Sequence, residues 1–245
     1  GSLTGMDYAH KGFDMPRDFV VHTDSPHYYK DSLTQESSSE FVNRLLKNLE
    51  KLIIKEGSQN IAAMILEPIQ GAGGVIIPPD NYLKGVQKLL KKNDILLIVD
   101  EVICGFGRTG NMFGCDTFQI KPDMMVIAKG LSSGYIPISA LLINEEIYDT
   151  ISEFSSINKV FGHGYTYSGH PVAAAVALET IKIFKDEKCV AVFTEDSIIP
   201  YLIEKPTCSK FYMVLGGMVL TKHEKTFISE LKTKKAKYII LDDAK

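Results

Sequence analysis

The chain has 245 residues, 45% of them hydrophobic and 23% charged, with a net charge of -3. That is the composition of a globular protein with ample core, and it gives no electrostatic reason for a nucleic-acid or anionic-membrane partner. No apolar run approaches the roughly 20 residues that span a bilayer, because the longest, over 211–220, contains Gly216 and Gly217.

Residues 1–30 read as loop, rich in Gly, Pro, Asp, His and Tyr, with one short strand expected at Phe19 to His22. The chain opens on Gly and carries no secretory signal, so a preceding segment is expected to be missing. Ser37 with Glu40 makes a capping box, and Phe41, Leu45, Leu46, Leu49, Leu52 and Ile53 recur at helical spacing until Gly57. Ile61 to Leu66 is a buried strand that ends in Glu67-Pro68-Ile69-Gln70-Gly71. Asp80 is placed to cap a second helix with Tyr82, Leu83, Val86, Leu89 and Leu90 on its apolar face. Its last turn carries Lys91 and Lys92, which suit the negative end of the helix dipole.

Ile95 to Val99 is a strand expected to be buried on both faces, and Asp100 ends it. Met124 to Ala128 is another, with Lys129 at its carboxyl end, and Ser139 to Ile143 a third. Alternating strands and helices predict an α/β fold, a mainly parallel sheet with helices on both faces. In such sheets ligands sit beyond the carboxyl ends of the strands, which puts Asp100 and Lys129 where chemistry is done.

Two nucleotide motifs overlap this stretch. Gly105-Phe106-Gly107-Arg108-Thr109-Gly110 fits G-x-G-x-x-G, but the residues that follow lack a helical apolar period, so no helix N-terminus is expected to face a pyrophosphate. The strand ending in Asp100-Glu101 resembles a magnesium-binding strand, yet the chain contains no G-x-x-x-x-G-K-[ST]. Phe161 to Pro171 is a polar, glycine-rich loop leading into an alanine-rich helix with Pro171 in its first turn. Strands over 211–220 and 238–241, with a helix over 224–235 between them, are expected in the last part. The cysteines at 104, 115, 189 and 208 show no C-x-x-C spacing, which suits reduced thiols in the cytoplasm, with an organelle matrix as the other compartment.

Four stretches carry a family pattern: LEPIQGAGG (66–74), ILLIVDEVICGFGRTGNMF (95–113), PDMMVIAKGLSSGYIPISA (122–140) and HGYTYSGHPVAAA (163–175). Together they resemble the class III, or omega, aminotransferases, which use pyridoxal phosphate on fold type I. The resemblance covers nearly all of residues 1–190 and implies the large, cofactor-binding domain without its N-terminal part. Residues 191–245 are then a divergent segment, a reduced small domain.

By this resemblance Lys129 is the catalytic residue, joined to the cofactor aldehyde as a Schiff base and moving the substrate proton. Asp100 would pair with the pyridine nitrogen, and Val102 would pack on a ring face. Gln70 and Glu67 would reach the cofactor or substrate edge. Thr166, with Tyr165 beside it, would bind the cofactor phosphate of the other subunit in a homodimer with shared active sites. Amine donors and keto acids would be the small-molecule partners, with no nucleic acid, membrane or metal. His163 and His170 are read as structural, and Arg108 as fixing its loop or an interface.

The family's Gly-Ser phosphate turn and ring-stacking aromatic, expected in a segment upstream of Gly1, are not found within these residues, and no arginine follows Arg108 to take a carboxylate. The expected function is ping-pong transfer of an amino group from an amine or omega-amino acid to a keto acid. The alternatives are an inactive aminotransferase-like binding or assembly module and a racemase or aminomutase on the same scaffold.

Overall fold

A computed structural model describes residues 1–186, 191–193 and 239–241, in two compact units. The first unit comprises Gly1–Asp100 and Phe118–Asp123, and the second Glu101–Thr117 and Met124–Lys245. The strand and helix expected over 211–220 and 224–235 lie outside the described residues. Ile239–Leu241 is a strand, parallel to Ala191–Phe193. Among the described residues no helix is long and apolar enough to cross a membrane.

The first unit begins irregularly. The strand expected at Phe19 to His22 does not form: Val20 closes a turn onto the Arg17 carbonyl, and Phe19 is 85% exposed. Among the described residues this segment pairs with no strand, and β propensity without a partner does not make a strand. Helix α1 (Tyr28–Asp31) lies where only loop was expected, with the Tyr28 ring edge-on to Phe41 and its hydroxyl donating to the Glu36 carbonyl.

Helix α2 (Ser38–Glu56) has the capping box the sequence announced, and it ends at Gly57. Its face of Phe41, Val42, Leu45, Leu49 and Ile53 is buried. Helix α3 (Tyr82–Lys92) packs on α2 through Tyr82, Leu83, Val86 and Leu90 and starts one residue later than expected, after Asn81 rather than Asp80. Strands β1 (Ala63–Leu66) and β2 (Leu96–Asp100) pair in parallel, with Ala63 opposite Leu96 and Leu66 opposite Val99. In β2 burial alternates: Leu97 and Val99 are buried while Leu96 is exposed, so the strand is not covered on both faces. Asp123 holds the start of β2 twice, donating its N–H to the Leu97 carbonyl and accepting the Leu97 N–H on its carboxylate.

In the second unit a short helix α4 (Gly114–Phe118) ends at the unit's boundary, and β3 (Met124–Ile127) pairs with β4 (Ala140–Ile143). That pair is antiparallel, Met124 opposite Ile143 and Ile127 opposite Ala140. Helix α5 (Glu145–Asn158) is capped by the Asn144 side chain, and α6 (Pro171–Asp186) begins with Pro171 as its first residue. The buried cluster of this unit is Phe106, Ile127, Leu131, Ala177 and Phe184.

Candidate active site

The parallel register of β1 and β2 carries Glu67 and Asp100 to the same end of the first unit. Asp100 is half-buried as the last residue of β2. Glu67 accepts the Gly71 N–H at 2.9 Å, which turns the chain at the end of β1. Gln70 then bridges to Ile76, each donating its N–H to the other's carbonyl, and closes a glycine-rich loop whose residues 72–75 are exposed. The Ser25 hydroxyl donates to the Gln70 side-chain oxygen at 3.0 Å, which leaves the amide N–H groups as what Gln70 can offer a ligand.

Lys129 belongs to the second unit and opens a 3-10 turn, Lys129–Ser132, just beyond β3. Its φ of 42° lies in the left-handed region, as does that of Ser133 at 51°. Side chains other than glycine hold such a backbone only where their surroundings enforce it. Three neighbours do so here. Helix α6 packs on the turn, Leu131 is buried in the cluster with Phe106 and Phe184, and the Ser132 hydroxyl donates to the Ile136 carbonyl at 2.6 Å. Lys129 itself is half-buried.

Glu101, which the sequence reading passed over, is fully buried. Its N–H donates to the Val126 carbonyl of β3, and its carboxylate accepts the Gly114 and Cys115 N–H groups at 2.9 and 2.6 Å. Burial pushes its carboxyl above the ordinary range, and the two amide bonds oppose that. An acid set among Val99, Val102, Ile103 and Cys104 was the available signal, since a carboxylate in such surroundings must find donors.

The segment that Glu101 closes is the G-x-G-x-x-G stretch. Phe106 and Gly107 both donate to the Met112 carbonyl, at 2.7 and 3.3 Å, so the loop folds onto itself. A Cβ at Gly105 would lie 2.8 Å from the Glu101 carbonyl, which is why only glycine fits there. The Arg108 Nε donates to the Ile103 carbonyl at 2.5 Å, within its own loop. Val102 is half-buried at the start of this stretch.

Tyr165 and Thr166 stand on a loop, 161–170, whose residues are all exposed. The rings of Phe161, His163 and Tyr165 follow one another edge-on, with centroids 5.9 and 5.5 Å apart. The Ser168 hydroxyl accepts the Tyr165 N–H, and the His170 ring nitrogen accepts the Ala173 N–H at the entry of α6. Of the residues expected to form the site, Glu67, Gln70 and Asp100 thus belong to the first unit, and Val102, Lys129, Tyr165 and Thr166 to the second.

The family model for class-III aminotransferases matches residues 6–197. Gamma aminobutyrate transaminase 3, chloroplastic, of Solanum lycopersicum is 54% identical over 189 residues, which are 77% of this chain and 36% of that protein. Probable gamma-aminobutyrate transaminase 3, mitochondrial, of Oryza sativa subsp. indica is 55% identical over 191 residues, 77% of this chain and 37% of its own length. Among solved structures, the omega transaminase from Pseudomonas jessenii in complex with PMP superposes with a TM-score of 0.74 at 52% identity, covering 75% of this chain and 41% of that one. The chain therefore spans well under half the length of the relatives it matches, and its α/β fold is that of the fold-type-I transaminases.

Proposed function

The chain belongs to the class-III aminotransferases, and we propose on that premise that it serves pyridoxal-phosphate-dependent transfer of an amino group from an amine or omega-amino acid to a keto acid. The observation that carries this reading is an acid and an amine each set at the carboxyl end of a strand, Asp100 closing β2 and Lys129 just past β3. Relatives named as gamma-aminobutyrate transaminases favour an omega-amino acid as donor.

The donor set fits the cofactor: a half-buried primary amine for an aldehyde, a half-buried carboxylate for a ring nitrogen, and exposed hydroxyls for a phosphate. When bound, pyridoxal phosphate supplies an electrophilic carbonyl and an electron-withdrawing ring. Lys129 Nζ would hold that carbonyl and, once displaced by the donor, would take the proton from the donor's amine-bearing carbon and deliver it to the carbon that had carried the carbonyl. The Asp100 carboxylate would accept a hydrogen bond from the ring nitrogen and so favour a proton there. Val102 would pack its methyls on the ring, while Gln70 and Glu67 would reach the cofactor or substrate edge. Thr166, with Tyr165 beside it, would donate its hydroxyl to the cofactor phosphate of a partner subunit, so the working form would be a homodimer. Residues 1–190 act as the cofactor-binding domain and 191–245 as a reduced small domain. Relatives named chloroplastic and mitochondrial favour an organelle matrix over the cytoplasm.

The test is an absorbance spectrum with added pyridoxal phosphate. A long-wavelength band in the wild type that Lys129→Ala loses is the expected result. If neither protein develops the band, the binding or assembly module becomes the reading.

A further inference from the structure

The G-x-G-x-x-G stretch is not read as a nucleotide site, its backbone closes on itself, and its largest buried side chain, Phe106, lies in the core cluster beside the Lys129 turn. We infer that Phe106 is the positioning residue for the Lys129 amine, an inference that rests on Lys129 being the lysine that carries the cofactor. Phe106 is 4% exposed, and its ring is edge-on to Phe113 and tilted against Phe184, with centroids 5.7 and 5.8 Å away. Its cluster takes in Ile127 and Leu131, the residues on either side of Lys129 that point into the core.

Gly130 completes the bracket. A Cβ built there would come within 3.1 Å of both Cβ and Cδ2 of Phe106, so the aromatic side chain seats directly on the backbone next to Lys129. Phe106 and Lys129 both have left-handed φ values, 63° and 42°. Neither residue type favours that region, and each is held there by its contacts. The Phe106 backbone is fixed by its bond to Met112, and the loop it sits on is closed at its ends by Glu101. The ring in turn blocks the Lys129 turn from relaxing to an ordinary backbone conformation, in which the lysine side chain would leave the strand end in another direction.

The experiment labels the full chain, without cofactor, with a limiting amine-acylating reagent. Peptide mass spectrometry then compares Lys129 with the exposed Lys121 and Lys159. Phe106→Ala is expected to change the Lys129 labelling rate by about fivefold relative to those two, the order of effect of releasing one strained residue. Phe106→Leu, which keeps a branched side chain over Gly130, is expected to restore it. Should Phe106→Ala not fold, Phe106→Gly, which suits the positive φ, takes its place in the same comparison. An unchanged Lys129 rate in the folded variant, or a change shared by Lys121 and Lys159, overturns the inference. Absence of a cofactor band in the wild type overturns the reading of Lys129 instead and leaves the labelling comparison intact.

Discussion

The Glu101 carboxylate accepts the Cys115 N–H at 2.6 Å, closing a loop that begins at the residue after Asp100. The proposed cofactor acid is therefore followed at once by an acid with a different duty. Asp100 is half-buried at the end of its strand, whereas Glu101 is sealed in and spends both oxygens on the backbone of α4.

Glu101→Ala is expected to destabilise the chain by about 1–3 kcal/mol, the cost of leaving buried N–H groups without an acceptor. The pH dependence follows from the raised carboxyl value. A group that binds its proton more tightly when folded contributes most at and below its ordinary pKa of 4.5, and that contribution falls as pH climbs through the folded value. The penalty of the substitution should accordingly shrink with rising pH above 4.5. Urea unfolding of both proteins at a series of pH values checks it, and a penalty independent of pH would count against the raised carboxyl.

Cys115 should be chemically silent in the folded chain. Burial first, and then the charge of Glu101, push its thiol up to about 12, so almost no thiolate exists at neutral pH. Peptide mapping after alkylation of native protein should find Cys115 and the equally buried Cys104 unmodified, and both modified after denaturation. Rapid native labelling of Cys115 would show that the Glu101 closure opens in solution.

Much of the framework was legible because its signals are local. The capping box at Ser37 and Glu40, the stop at Gly57 and the apolar face of α2 need nothing beyond neighbouring residues, and the strands before Asp100 and Lys129 announce themselves as short apolar runs. What the sequence hid depends on distant partners. The apolar residues at Phe19 to His22 stay exposed instead of pairing in a sheet, and the antiparallel direction of β4 is set by its pairing with β3. Glu101 was hidden for the same reason, since its donors lie at Gly114 and Cys115. The positive φ of Lys129 is a tertiary effect that nothing in the local sequence requires.

Ser37→Ala tests the best-defined local device. The Ser37 hydroxyl accepts the Glu40 N–H at 3.3 Å while the Glu40 carboxylate accepts the Ser37 N–H at 2.9 Å. Losing one half of this exchange should cost about 1 kcal/mol. Because α2 supplies the apolar face against α3, the loss should appear in a single unfolding transition of the first unit rather than as local fraying. Circular dichroism through a denaturant titration reads both quantities.

Arg44 ties α2 to the turn before it. Its Nε and a terminal nitrogen donate to the two Glu36 oxygens at 2.7 and 2.8 Å, the same terminal nitrogen donates to the Asp31 carbonyl, and the guanidinium lies 5.1 Å from the Phe41 ring centre. This forked pairing holds the Glu36 carboxyl down at about 2, against an ordinary 4.5. A carboxylate with a depressed folded value stabilises above its ordinary pKa and stops doing so as pH falls through the folded one. Arg44→Met keeps an apolar stem for Phe41 but removes the fork, so the Glu36 titration should return toward 4.5. Wild type should then be the more stable of the two above that pH, with the difference fading as pH drops toward 2. Carboxyl carbon NMR follows the titration and thermal melts at the two pH extremes follow the difference. A Glu36 value unmoved by Arg44→Met would mean that the Leu33 N–H, which also donates to this carboxylate, holds it down instead.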